Sequence, residues 1–94
     1  MENFDEVQAS DFLKLMKSFL MGQIDARGYQ EAYFALMKRR ANLAAEEFEI
    51  IQQAFVDADD YDPEVRLDHT IEEPELRSRV SKTQRELAEL INSP

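Results

Sequence analysis

The sequence predicts an all-α protein, an antiparallel four-helix bundle with an acidic loop between helices three and four. Three observations carry that expectation. Four stretches repeat apolar residues at i, i+3, i+4 and i+7, the spacing of one buried helical stripe. No stretch alternates apolar and polar residues as a half-buried strand would. The first two connections are short, which makes chain neighbours antiparallel in a bundle, while the third is long and acidic.

The first helix carries its stripe on Phe12, Leu13, Leu15, Met16, Phe19 and Leu20. Ser10 is its expected N-cap, with Asp11 in the positive first turn. Gly22 is its expected stop, because glycine accepts positive φ without a Cβ clash. The second helix is capped by Asp25 and buries Tyr29, Ala32, Tyr33, Leu36 and Met37. Gly28 costs that helix about 1 kcal/mol relative to alanine, which predicts a loose first turn. Lys38, Arg39 and Arg40 complement the dipole of its last turn and are too few for a nucleic-acid footprint.

Asn42 is expected to end the second helix and cap the third. Phe48, Ile51 and Phe55, with Ile50 and Ala54, form the third stripe, and Glu46 and Glu47 sit in its first turns. This helix is expected to fade over residues 56–59, where aspartates crowd the negative end of the dipole, and Pro63 confirms the break. The last helix opens at Glu73-Pro74-Glu75, with proline in a position that needs no N–H donor. Leu76, Val80, Leu87, Leu90 and Ile91 carry its stripe, with Thr83 and Gln84 midway, before Asn92-Ser93-Pro94.

Ninety-four residues make one domain, 1–94. A hydrophobic fraction of 44% is enough for a core and too high for a disordered acidic tail. There is no cysteine, which excludes disulfides and thiolate chemistry and suits a reducing compartment. The acidic start MENFDEVQAS does not read as a signal peptide, and no apolar run is long enough to cross a membrane. The expected location is therefore cytoplasmic. A net charge of −9 argues against binding nucleic acid or anionic membranes.

The charge is unevenly placed. Residues 57–75 hold nine carboxylates against Arg66 alone, a net −8, while the remaining 75 residues carry eleven acids and ten bases. Like charges this close destabilise the free protein, so the run reads as a site for a cationic partner. The plainer reading is a loop kept for solubility. Tyr61, amid the acids, is either a binding anchor or packing over the bundle end.

Asp57 and Asp59 begin the run as a calcium loop would. Asp62 then stands where such a loop needs glycine, and Asp68 where it needs glutamate. His69, the single histidine, reads as a solvated group among carboxylates. Acid–base catalysis needs two carboxylates in different environments within a cleft, and an exposed run offers none. No phosphate loop, nucleophile elbow or metal-ligand spacing is present. The chain reads as a non-enzyme with neither cofactor nor metal.

The segments FLKLMKSFLMGQI, YQEAYFALMKRR, IIQQAFVDADDYDP and IEEPELRSRVSKTQREL together resemble the colicin D immunity family, which includes immunity proteins of contact-dependent growth inhibition. The resemblance implies a helical bundle whose acidic face plugs the basic active site of a tRNA-cleaving toxin nuclease, carboxylates standing in for substrate phosphates. By that resemblance Asp57, Asp59, Asp60, Asp62, Glu64, Glu72 and Glu73 are the substitutes. With Tyr61, Asp68 and Glu75 from the same run, they make the expected toxin-binding set. The implied state is a monomer that forms a 1:1 complex. The alternative is an acidic adaptor or assembly subunit that binds a basic protein without inhibiting an enzyme.

Overall fold

The computed structural model describes residues 6–39, 41–62 and 70–92. The elements run β1 (Val7–Gln8), α1 (Ala9–Leu20), α2 (Ala26–Met37), β2 (Ala41–Asn42), α3 (Ala45–Asp60) and α4 (Glu73–Asn92). The expected all-α four-helix bundle is found. α4 packs on both α1 and α3, and α2 packs on the same two helices.

The two short strands were not expected. β1 and β2 pair in parallel, Val7 with Ala41 and Gln8 with Asn42. Their pairing corrects two caps. Gln8 is held extended (φ −116°, ψ 166°), so α1 starts directly after it and Ser10 lies inside the helix. The Gln8 N–H donates to Asp11 Oδ2 at 2.8 Å, which satisfies a donor that the helix start leaves free. Asn42 is likewise extended in the ladder and caps nothing. α3 starts after Ala44, whose N–H donates to Glu47 Oε1 at 2.8 Å.

Other boundaries fall where the sequence puts them. Gly22 has φ +79° and closes α1. Asp25 Oδ1 accepts the Gly28 N–H at 2.7 Å and caps α2. A Cβ on Gly28 would stand 3.0 Å from that oxygen, so the glycine makes room for the cap rather than loosening the turn. In α4, Leu76 N–H donates to Glu72 O at 3.0 Å, so Pro74 occupies the first turn. α3 does not fade at residues 56–59 but runs to Asp60. Gln30 of α2 explains the extension: its Nε2 donates to Ala58 O at 2.8 Å and Tyr61 O at 2.9 Å, satisfying carbonyls at the helix end.

The core is built on aromatic contacts between α1 and α2. Phe19 stacks on Tyr29 with centroids 4.7 Å apart, Tyr29 meets Tyr33 at 5.6 Å, and Tyr33 meets Phe12 at 5.2 Å. All four are fully buried, and Met16, Ile51, Leu76 and Leu87 close around them. Truncating such a phenylalanine to alanine costs about 3–5 kcal/mol. Phe48 departs from its expected place. It lies in the first turn of α3, is 49% exposed, and lines an open apolar cavity with Phe12, Leu36, Met37 and Leu43.

Candidate functional site

The two acidic stretches that flank residues 63–69 are joined by a short backbone bridge. Tyr61 and Ile71 pair in parallel. The Ile71 N–H donates to Asp60 O at 2.9 Å, and the Asp62 N–H donates to Ile71 O at 3.3 Å. The end of α3 and the start of α4 are thereby held side by side. Asp60 and Asp62 are held beside Ile71, the residue that precedes Glu72 and Glu73. Glu64 and Asp68, with His69, lie outside the described residues.

The structure divides the acidic run instead of exposing all of it. Asp59, Glu72 and Glu75 are exposed, while Asp60, Asp62 and Glu73 are half-buried. Tyr61 takes the packing position: it is 9% exposed and belongs to the core cluster. Burial raises its phenol pKa above the ordinary value, the Glu73 charge adds to that, and Arg27 opposes it. Asp25 and Asp62 raise it further, so the cap of α2 borders the same acidic surface.

Asp57 stands apart from the other acids of the run in its burial. Its position on α3 turns it inward, in the same stripe as Ile51, Ala54 and Ala58, and it is 4% exposed. A buried carboxylate requires a partner. Arg79 supplies it, Nη1 donating to Asp57 Oδ1 at 3.1 Å, and Gln53 Nε2 donates to the same oxygen at 3.3 Å. The Asp57 charge also reaches the buried phenols behind it. Tyr29 and Tyr33 have raised pKa values, chiefly from burial, with Asp57 contributing to both.

Two acids on α4 are engaged in the same way. Arg79 Nε donates to Glu75 Oε2 at 3.2 Å, and Arg77 Nε to Glu73 Oε2 at 2.9 Å. Arg77 also donates through Nη1 to Phe19 O at 3.0 Å, with its guanidinium 4.4 Å over the Phe19 ring. The Glu75 and Asp57 hydrogen bonds raise the Arg79 pKa still further, against desolvation. Glu73 and Glu75 also favour the positive N-terminus of α4.

A second acidic concentration was missed by the sequence reading, because its members are split between two helices. Glu46 and Glu49 of α3 and Glu86 and Glu89 of α4 line one cavity of about 370 Å³, with Ile50 and Leu90 as its apolar part. The i, i+3 spacing within each helix was the available signal.

Chemically, the bridged face offers exposed carboxylates at Asp59, Glu72 and Glu75. That arrangement suits guanidinium and ammonium groups, which meet carboxylates in charge-assisted hydrogen bonds. No group of three or more histidine or carboxylate side chains among the described residues converges to hold a metal ion. Among the described residues, no helix is long and apolar enough to cross a membrane.

Among known proteins, the family model for bacterial self-protective colicin-like immunity matches residues 8–87. No curated protein and no solved structure matches the chain.

Proposed function

The chain belongs to the bacterial self-protective colicin-like immunity family, and from that premise we propose that it neutralises a cognate nuclease toxin by laying the joint of α3 and α4 over a cationic active site. The observation that supports this reading is the Tyr61–Ile71 bridge, which holds the ends of two acidic stretches of sequence side by side. Asp59, Asp60, Asp62, Glu72, Glu73 and Glu75 supply the carboxylates, joined by Glu64 and Asp68. A nuclease site is lined with cations that hold phosphates, and a rigid array of carboxylates meets the same cations. The protein works by binding rather than catalysis, as a monomer in a 1:1 complex in the cytoplasm, against a toxin that cleaves tRNA.

The charge serves speed as well as affinity. Opposed surface potentials raise association toward roughly 10⁸–10⁹ M⁻¹s⁻¹ at low salt. The test is co-purification with the protein encoded immediately upstream, followed by stopped-flow association across a salt series. Association should slow steeply as salt rises, since exposed charges are screened beyond about 8–10 Å at physiological ionic strength. A flat association rate would contradict electrostatic capture. A complex that leaves nuclease activity intact would favour the adaptor reading instead.

A further inference from the structure

We propose that Arg77 and Arg79 are positioning residues for the acidic face, each holding one α4 carboxylate in place, and that Asp57 is the anchor of Arg79 rather than a contact of the partner. The inference rests on the reading of that face as the toxin-binding surface.

The two arginines repeat one geometry. In each, Nε holds the glutamate four residues earlier, and Nη1 reaches a different helix. Arg77 joins Glu73 to the Phe19 carbonyl of α1, and Arg79 joins Glu75 to the Asp57 carboxylate of α3. Both anchors are interior: Phe19 is 0% exposed and Asp57 4%. An exposed i, i+4 pair on its own is too weak to hold two long side chains in one rotamer. Here the guanidinium is planar and its donors are fixed relative to one another, so fixing Nη1 also fixes Nε. Each glutamate is engaged at Oε2, and a carboxylate has lone pairs on both oxygens, so Oε1 remains available to an incoming cation.

Arg79 compensates the buried Asp57, but the charge of the exposed face gives no reason for either arginine. They add two positive charges to a surface read as a trap for cations. What they supply is order. Immobilising a long side chain on binding weakens association, and a side chain already held avoids that loss. One held carboxylate corresponds to roughly three- to tenfold in Kd.

The sign of a substitution therefore separates the readings. Arg79→Gln makes the face more negative and on charge alone would tighten binding. Positioning predicts the reverse: Kd for the toxin domain encoded immediately upstream rises about three- to tenfold. The loss lies in the dissociation rate, and association is unchanged or faster. Arg79→Lys keeps the charge but cannot fork between two carboxylates, so it should loosen the complex by a similar factor with association unchanged. In a Glu75→Gln background, Arg79→Gln should have no further effect, because its target is gone. In an Arg79→Gln background, Asp57→Asn should likewise add nothing, whereas Asp59→Asn should still weaken binding. The Arg77 and Glu73 pair should behave in the same way. Nitrogen relaxation in the free protein supplies a readout independent of the partner, with the Nε–H groups of Arg77 and Arg79 rigid and that of Arg85 mobile. Tighter binding by Arg79→Gln, a full effect of it without Glu75, or mobile Arg77 and Arg79 side chains would each overturn the proposal. If Asp59→Asn and Asp62→Asn leave Kd unchanged, the surface reading itself fails, and the relaxation result still decides whether the arginines are held.

Discussion

Asp57 Oδ1 lies 3.1 Å from Arg79 Nη1, and the two residues differ sharply in exposure: the aspartate side chain is 6% exposed, the arginine side chain 39%. The pair spans 22 residues of sequence and ties α3 to α4. Losing one member is therefore not equivalent to losing the other. Arg79→Met leaves a buried carboxylate without its cation, and an uncompensated buried charge is strongly destabilising. Asp57→Asn leaves a guanidinium that already reaches water and lies beside the Glu75 charge. With allowance for that exposure, Arg79→Met is expected to cost about 2–3 kcal/mol and Asp57→Asn about 1 kcal/mol. Urea unfolding of the two variants checks the order.

Tyr29 and Tyr33 make a second contrasting pair. The Tyr33 hydroxyl donates to Ile51 O at 2.8 Å, whereas the buried Tyr29 hydroxyl has no hydrogen-bond partner among the described residues. Tyr33→Phe loses a buried hydrogen bond, although the Ile51 carbonyl keeps its place in the α3 ladder, and should cost about 1 kcal/mol. Tyr29→Phe removes an unsatisfied group and should leave stability equal or higher by up to about 1 kcal/mol. Thermal melting of both variants tests the contrast.

The same phenols set the alkaline limit. Burial raises the pKa of Tyr29 and Tyr33 above the ordinary value near 10, so the folded protein keeps protons that the unfolded chain releases. Between the unfolded and folded pKa values the unfolded state binds fewer protons, so stability falls as pH rises. Stability from these groups is complete below about pH 10 and declines above it by roughly 1.4 kcal/mol per pH unit for each phenol. Tyrosinate absorbance should therefore lag its ordinary titration and then rise together with the loss of helical circular dichroism.

Much of the fold was legible because its signals are local. The stripes, the Asp25 cap, the Gly22 stop and Pro74 in the first turn of α4 each depend on residues a few positions apart. The pairing of Val7–Gln8 with Ala41–Asn42 was not legible, since two-residue strands show no period. It displaced the caps expected at Ser10 and Asn42. The site was legible as a concentration of charge but not as a surface. Asp57 reads as one more acid until Arg79, 22 residues on, shows why it can turn inward. Gln30 lies 28 and 31 residues from the carbonyls it satisfies, so the length of α3 depended on a contact that no local window contains.

The most direct test of the acidic joint as the toxin-binding surface compares two triple variants of equal charge. One replaces Asp59, Asp60 and Asp62 by asparagine at the joint. The other replaces Glu46, Glu47 and Glu49 by glutamine at the opposite end of α3. The measurement is the Kd for the toxin domain encoded immediately upstream, with melting temperature as the folding control. The joint variant should keep or gain stability, because like-charge repulsion is relieved. It should nevertheless lose at least about thirtyfold in affinity, since even one truncated charge pair is worth about 2–5 kcal/mol. The control should bind within about threefold of the wild type, as expected of charges outside the contact. Equal affinities for the two variants would contradict the account, and stronger loss in the control would move the contact to the cavity of Glu46, Glu49, Glu86 and Glu89.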